Sequence, residues 1–286
     1  MQTLERQIFR AGSTTYYWSA RFFPQAVRED VCKLYSFVRV ADDYVDVVPQ
    51  QTKAFYALRA SWETAQADAT FDTTPSPKDT IDQRVIKNIV ALTRKYAFEP
   101  SWIASFLDAM QSDLEGKTYA TPNDVMRYTY GSAEVVGLLM SRILGLPAAA
   151  DCFAKIQGRA FQWINFIRDV AEDTALGRTY FPAAALKKFG LSSVDAAEAD
   201  AHPEQFAAFM RSQISQYRSW QREAEQYYQY MPRRLRIPLQ VAADMYKWSA
   251  SIIEANPRIV FERKVKPPIF RVVARGLAAT LRTHPR

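Results

Sequence analysis

Apolar residues recur at helical spacing along most of the chain, and prolines mark where the pattern restarts. Pro24, Pro49, Pro100, Pro122, Pro147, Pro182, Pro203, Pro232 and Pro267 each fall at or near the start of an apolar-periodic segment. Proline suits that place because the first helical N–H groups have no partner in the helix. The pattern predicts helices over about 25–48, 51–67, 79–96, 101–116, 123–145, 149–176, 203–230 and 233–255, with a further amphipathic segment over about 267–282. Period-2 strands with hairpin turns are absent, so the predicted class is all-α. Thr70–Thr80 and Leu191–His202 read as loops, neither of them a long linker. With no repeat at solenoid period, the simplest organisation is one domain over residues 1–286.

Composition narrows the chemistry. The chain has 286 residues, 48% hydrophobic and 23% charged, enough for a large core and too apolar for disorder. Its nine glycines include neither a dinucleotide-binding nor a P-loop pattern. Two cysteines (Cys32, Cys152) and two histidines (His202, His284) cannot build a Cys-rich or His-based metal site. The opening MQTLERQIFR lacks an apolar signal core, and Val135–Leu146 is interrupted by Ser141 and Arg142 and too short for a span. A cytoplasmic protein is expected. Eight basic residues from Arg258 onward stand against one acid, Glu262, and carry the whole net charge of +7. A nucleic-acid binder would spread its basic residues through the domain, so nucleic acid is not an expected partner.

Two clusters carry chemistry. Ala41-Asp42-Asp43-Tyr44-Val45-Asp46 closes an apolar helical segment, and Asp42 and Asp46 lie one turn apart on one face. A solvated acidic helix end is the plain alternative. The second cluster spans Gln162 to Asp173, where Asn165, Asp169 and Asp173 recur every four residues and form a single stripe. Its remaining positions are largely apolar or aromatic (Phe161, Trp163, Ile164, Phe166, Ile167, Val170), so a solvated face is a poor account. Buried carboxylates need partners, and a divalent cation is the natural one. Carboxylate and amide oxygens are hard ligands that suit magnesium rather than zinc. Two facing stripes with cations between them would hold a diphosphate, and Arg39 and Arg168 beside them offer planar partners for phosphate oxygens.

These pieces resemble the squalene/phytoene synthase family. The resemblance runs in family order through Gly12–Tyr17 with Phe22-Phe23-Pro24, Leu34–Asp46, Tyr128–Gly137, Gln162–Asp173, Gly177–Pro182 and Asn256–Phe261. It implies an isoprenoid-synthase helical bundle around a central cavity, with both aspartate motifs at its mouth. It implies magnesium (or manganese) on Asp42, Asp46, Asn165, Asp169 and Asp173, and catalytic roles for Tyr35, Arg39, Tyr130, Gln162, Arg168 and Tyr246. The diphosphates would be held by Ser13, Thr15, Arg39 and Arg168. Thr14 stands where some members carry lysine, which leaves Arg258 or Arg263 to complete that set.

The implied reaction joins two geranylgeranyl diphosphates head to head, through a cyclopropylcarbinyl diphosphate, to phytoene without NADPH. Tyr246 or the released diphosphate would accept the proton. Farnesyl diphosphate, giving dehydrosqualene, squalene or hydroxysqualene, is the alternative within the class. A non-catalytic scaffold homologue is the alternative outside it, although degraded aspartate motifs would be expected there. The basic amphipathic tail over about 264–286 suits an interfacial helix on anionic lipid at the inner face of the membrane. It equally suits a terminal helix packed on the domain.

Overall fold

The computed structural model describes residues 3–281. Sixteen α-helices occur among them, and no strand. These are α1 Leu4–Gly12, α2 Thr14–Ala20, α3 Gln25–Asp46, α4 Thr52–Ala67, α5 Ile81–Tyr96, α6 Pro100–Leu114, α7 Pro122–Thr129 and α8 Val135–Ile143. There follow α9 Asp151–Arg168, α10 Val170–Ala175, α11 Ala183–Lys187, α12 Ala196–Ala201, α13 Pro203–Glu225, α14 Arg233–Ala255, α15 Ile259–Glu262 and α16 Ile269–Leu281.

Proline and capping residues set the boundaries. Pro100, Pro122 and Pro203 open α6, α7 and α13, where a missing N–H costs nothing. Thr80 with Gln83, and Thr121 with Asp124, form reciprocal capping boxes on α5 and α7. The Thr70–Thr80 segment is a loop, as its composition indicates. Leu191–His202 is not entirely loop: its Ala-rich centre forms α12, capped by Asp195. Helix α3 stops at Asp46 rather than 48, because Pro49 disfavours helical geometry at the residue before it.

Two predicted helices are divided. Residues 123–145 become α7, a π-helical turn at Tyr130–Glu134, and α8. Residues 149–176 bend at Asp169, although backbone bonds from Asp169 to Asn165 and from Asp173 to Asp169, 2.8 Å each, carry the ladder across. The tail of 203–230 tightens into a 3₁₀ turn at Gln226–Tyr230. Helices α1, α2, α11 and α15, like α12, fall outside the predicted helical segments.

Helix α9 runs through the centre, packed along α13, α8 and the π turn. Glycine permits the closest crossings. A Cβ on Gly158 of α9 would lie 2.3 Å from the Ala133 carbonyl oxygen, and one on Gly137 of α8 would lie 2.2 Å from that of Ala154. Backbone cannot yield as a side chain can, so Gly158→Ala is expected to cost about 2 kcal/mol, read as a lower urea midpoint at unchanged slope. Helix α16 packs on α14 and α2, with Val272 buried against Ile237, Val241 and Met245. The tail beyond Leu281, including Arg282 and Arg286, lies outside the described residues. No helix among the described residues is long and apolar enough to cross a membrane.

Candidate active site

The C-terminal turns of α3 and α9, the start of α2 and the strap after α15 surround a recess of about 320 Å³. Ser13, Thr15, Tyr35, Arg39, Asp42, Asp46, Gln162, Asn165, Arg168, Asp169, Asp173 and Tyr246 all line it, so the sequence-predicted residues converge with two exceptions. Tyr130 is one: the π turn leaves its ring 36% exposed and outside the recess. Its neighbour Tyr128 points in instead. Arg258 is the other; it pairs with Asp200 on α12, away from the recess, and exposed Arg263 does not line it either. Lys264 and Lys266 of the strap supply the positive charge there.

Each aspartate motif already has an internal cation. Arg39 donates to Asp42 at 3.1 Å and pairs with Asp43. Arg168 grips Asp169 in two-pronged fashion, at 2.8 and 2.6 Å, and Lys264 approaches Asp169 at 3.4 Å while pairing with Glu172. Arg178 donates to Asp46 at 2.6 Å and to the Val45 carbonyl, while its own backbone N–H bonds the Asp173 carbonyl at 2.8 Å. One residue thus ties both motifs together.

The charges are unevenly compensated. Burial opposes ionisation of Asp169, but Arg168 and Lys264 outweigh it and hold the carboxyl below its ordinary range. Burial, then the nearby Asp46, pushes Asp42 up to about 8 despite Arg39. Burial, then Asp169 and Asp46, pushes Asp173 up to about 8. Burial and the neighbouring cations Lys264 and Arg168 lower Lys266.

Beneath the motifs lies a buried polar cluster that the sequence reading missed. Asp113 accepts hydrogen bonds from Tyr128 at 2.7 Å and Tyr180 at 2.9 Å, next to Arg178. The two rings stack at 5.0 Å. Burial, only partly offset by Arg178 and the phenols, pushes Asp113 up to about 6. The folded chain therefore holds this proton more tightly than the unfolded chain. That contribution is complete below about pH 4 and is lost as the pH rises through about 6. Asp113→Asn is expected to flatten that segment of the stability–pH curve, with urea midpoints across it as the measure.

A second, apolar cavity of about 270 Å³ shares one wall with the recess. Tyr16, Tyr35, Val38, Ser132, Gln162 and Asn165 border both spaces. Tyr246 Oη donates to Tyr16 Oη at 2.8 Å, and both rings approach Phe161, at 4.8 Å for Tyr246 and 6.1 Å for Tyr16. Away from that shared wall the apolar cavity is lined by Phe9, Phe23, Leu34, Val136, Met140 and similar side chains. Gln157, Ser141 and Tyr227 are among its few polar groups.

The donor set fits a hard divalent cation. Asn165 Oδ1 is buried without a hydrogen-bond partner in the same recess as the aspartates. Among the described residues no three Asp, Glu, His or Cys side chains are gathered as a ready cage. Magnesium commonly needs only one or two carboxylates and completes its shell with water and phosphate.

Comparison with known proteins agrees with this architecture. The sequence pattern of squalene/phytoene synthase matches residues 9–271. The chain belongs to the squalene/phytoene synthase family. It is 26% identical to a 15-cis-phytoene synthase of Synechococcus elongatus over 97% of this chain and 91% of that protein. A phytoene synthase of Pseudescherichia vulneris is 32% identical over 71% of this chain and 63% of its own length. A 4,4'-diapophytoene synthase of Staphylococcus haemolyticus is 26% identical over 70% of each. A crystal structure of a dehydrosqualene synthase superposes with a TM-score of 0.78 at 21% identity, covering 98% of this chain and 96% of that one. The fold of this squalene/phytoene synthase family member is therefore the all-α one of that enzyme, and prenyl diphosphates are the substrate class the family implies.

Proposed function

We propose that this chain joins two geranylgeranyl diphosphates head to head to form phytoene. The observation that carries the reading is a charged recess sharing a wall with an apolar cavity, a pairing that suits a molecule with a diphosphate at one end and a prenyl chain at the other. The relatives named phytoene synthase favour the C20 substrate. Dehydrosqualene formation from two farnesyl diphosphates is the second reading, favoured by the diapophytoene synthase relative.

In this reading Asp42, Asp46, Asn165, Asp169 and Asp173 would hold magnesium, with manganese as a substitute. Bound there, it would neutralise charge on the departing diphosphate. Arg39, Arg168, Lys264 and Lys266 would grip diphosphate oxygens, with Ser13 and Thr15 beside them at the start of α2. Gln162 and Tyr35, which line both spaces, would position the head group between them. Tyr16, Phe161 and Tyr246 would shield the allylic cation from water and face it with aromatic rings. Burial raises the Tyr246 hydroxyl above its ordinary range, so it stays protonated and offers no phenolate to take up the proton. The released diphosphate would therefore accept the proton, with Tyr246 and Tyr16 donating hydrogen bonds.

The test is a product assay on the full chain. Magnesium and either geranylgeranyl or farnesyl diphosphate are supplied, without NADPH, and the extracted lipid is identified by mass spectrometry. A C40 hydrocarbon supports the reading, and a C30 hydrocarbon moves the substrate to farnesyl diphosphate. No hydrocarbon from folded protein would overturn catalysis in favour of a scaffold role. Lys266→Ala is expected to raise KM for the diphosphate about tenfold with little change in kcat, whereas Arg258→Ala is expected to leave both unchanged. Steady-state kinetics separates them.

A further inference from the structure

Helix α16 presents a face that the fold does not use. It buries Val272 and Gly276 against α14 and α2, where a Cβ on Gly276 would run into the Phe22 ring. At about 100° per residue, Phe270, Ala274 and Leu277 fall together on the opposite side. Phe270 is 75% exposed, Leu277 54%, and Ile269 beside them 45%. A helix packed on a domain through one face ordinarily turns polar residues to water on the other. Here both faces are apolar, and the charged positions, Arg271 and Arg275, are confined to one flank. Arg271 lies over the Trp248 ring and Arg275 reaches Asp244. Along the same seam, a cleft of about 530 Å³ between α14 and α16 gathers Arg233, Arg236, Lys247 and Arg275 against Glu225 and Asp244.

We propose that this face docks on an anionic lipid bilayer. Ile269, Phe270 and Leu277 enter the acyl boundary, and the basic seam beside them meets lipid phosphates. Charge selects the bilayer over a second copy of the chain, since a two-fold contact through α16 would bring two sets of arginines together. Position supports it as well. Helix α14 contributes Pro238, Leu239 and Ala242 to the apolar cavity and Ile237, Val241 and Met245 to the α16 contact. Only α16 and α14 therefore stand between the docking face and the cavity. This last point rests on the proposed function, in which substrates and product are prenyl lipids; the docking itself does not.

Flotation without substrate tests it. The full chain is mixed with vesicles of equal parts phosphatidylglycerol and phosphatidylcholine, or of phosphatidylcholine alone. The chain is expected to float with the anionic vesicles and to be released by high salt. The double variant Phe270→Ser, Leu277→Ser is expected to lower the bound fraction by about tenfold or more, with turnover on detergent-dispersed substrate unchanged. Phe270→Ala, which removes only exposed surface, is expected to lower it severalfold and guards against misfolding of the double variant. Equal flotation of native and variant chains, or no flotation of the native chain, would overturn the proposal. A native dimer that the double variant converts to monomer would also overturn it and assign the face to a second copy. Failure of the product assay would leave the flotation result standing.

Discussion

Asp42→Asn is expected to lower turnover by about 10²- to 10³-fold while raising the melting temperature of the ligand-free protein. Two opposite effects from one atom change follow from where Asp42 sits. It lies one helical turn from Asp46, and the neighbouring Arg39 divides its contacts between Asp42 and Asp43. Burial and Asp46 push its carboxyl up to about 8, so the folded chain holds Asp42 against its preference for the neutral form. The amide keeps the shape and removes the repulsion. The same charge is what the reaction uses, if Asp42 helps gather cations around a departing diphosphate, and losing a preorganised electrostatic partner costs on this scale. Product formation and a thermal melt at about pH 8 read the two effects side by side. A parallel fall in both would mean that Asp42 serves the fold.

Arg178→Met is expected to destabilise the chain by about 3 kcal/mol. Arg178 is 7% exposed and binds Asp46, the Val45 carbonyl and, through its backbone, Asp173. It is also the cation that most favours the ionised form of Asp113. Methionine keeps much of the packing volume and the backbone bond to Asp173, but it strips the guanidinium from Asp46 and from buried Asp113, and a buried carboxylate left without its cation is costly. Urea unfolding provides the measure. Tyr180→Phe, which deletes a single hydrogen bond to Asp113, should cost only about 1 kcal/mol.

The sequence made the local chemistry legible and left the distant pairings hidden. Asp42 with Asp46, and Asn165 with Asp169 and Asp173, were readable because helical spacing alone puts them on one face. Proline placed most long helices to within a few residues. The π turn escaped, because a single inserted backbone register has no compositional mark, and with it went the orientation of Tyr130. Arg178 and Tyr180 lay inside a recognised segment but had no assigned partners, since Asp46 is 132 residues from Arg178 and Asp113 is 67 from Tyr180. Charge counting put Lys264 and Lys266 in a basic tail, whereas the strap folds them over the recess. Arg258 looked equally available until α12, read as loop, offered it Asp200.

The internal cations at the recess have a consequence for the order of events. Arg39, Arg168 and Arg178 occupy Asp42, Asp169 and Asp46, so under the proposed function a divalent ion arriving alone would have to displace a guanidinium to use those oxygens. A diphosphate arriving alone meets a wall of carboxylates. Arriving together, each relieves the other, because the anion receives the displaced arginines and the metal receives the vacated oxygens. Under the proposed function, loading would be an exchange of counter-ions rather than an addition of charge. Such a site would stay nearly empty in metal salts and fill steeply once both species are present, so that the recess responds to the metal-bound head group and ignores its parts.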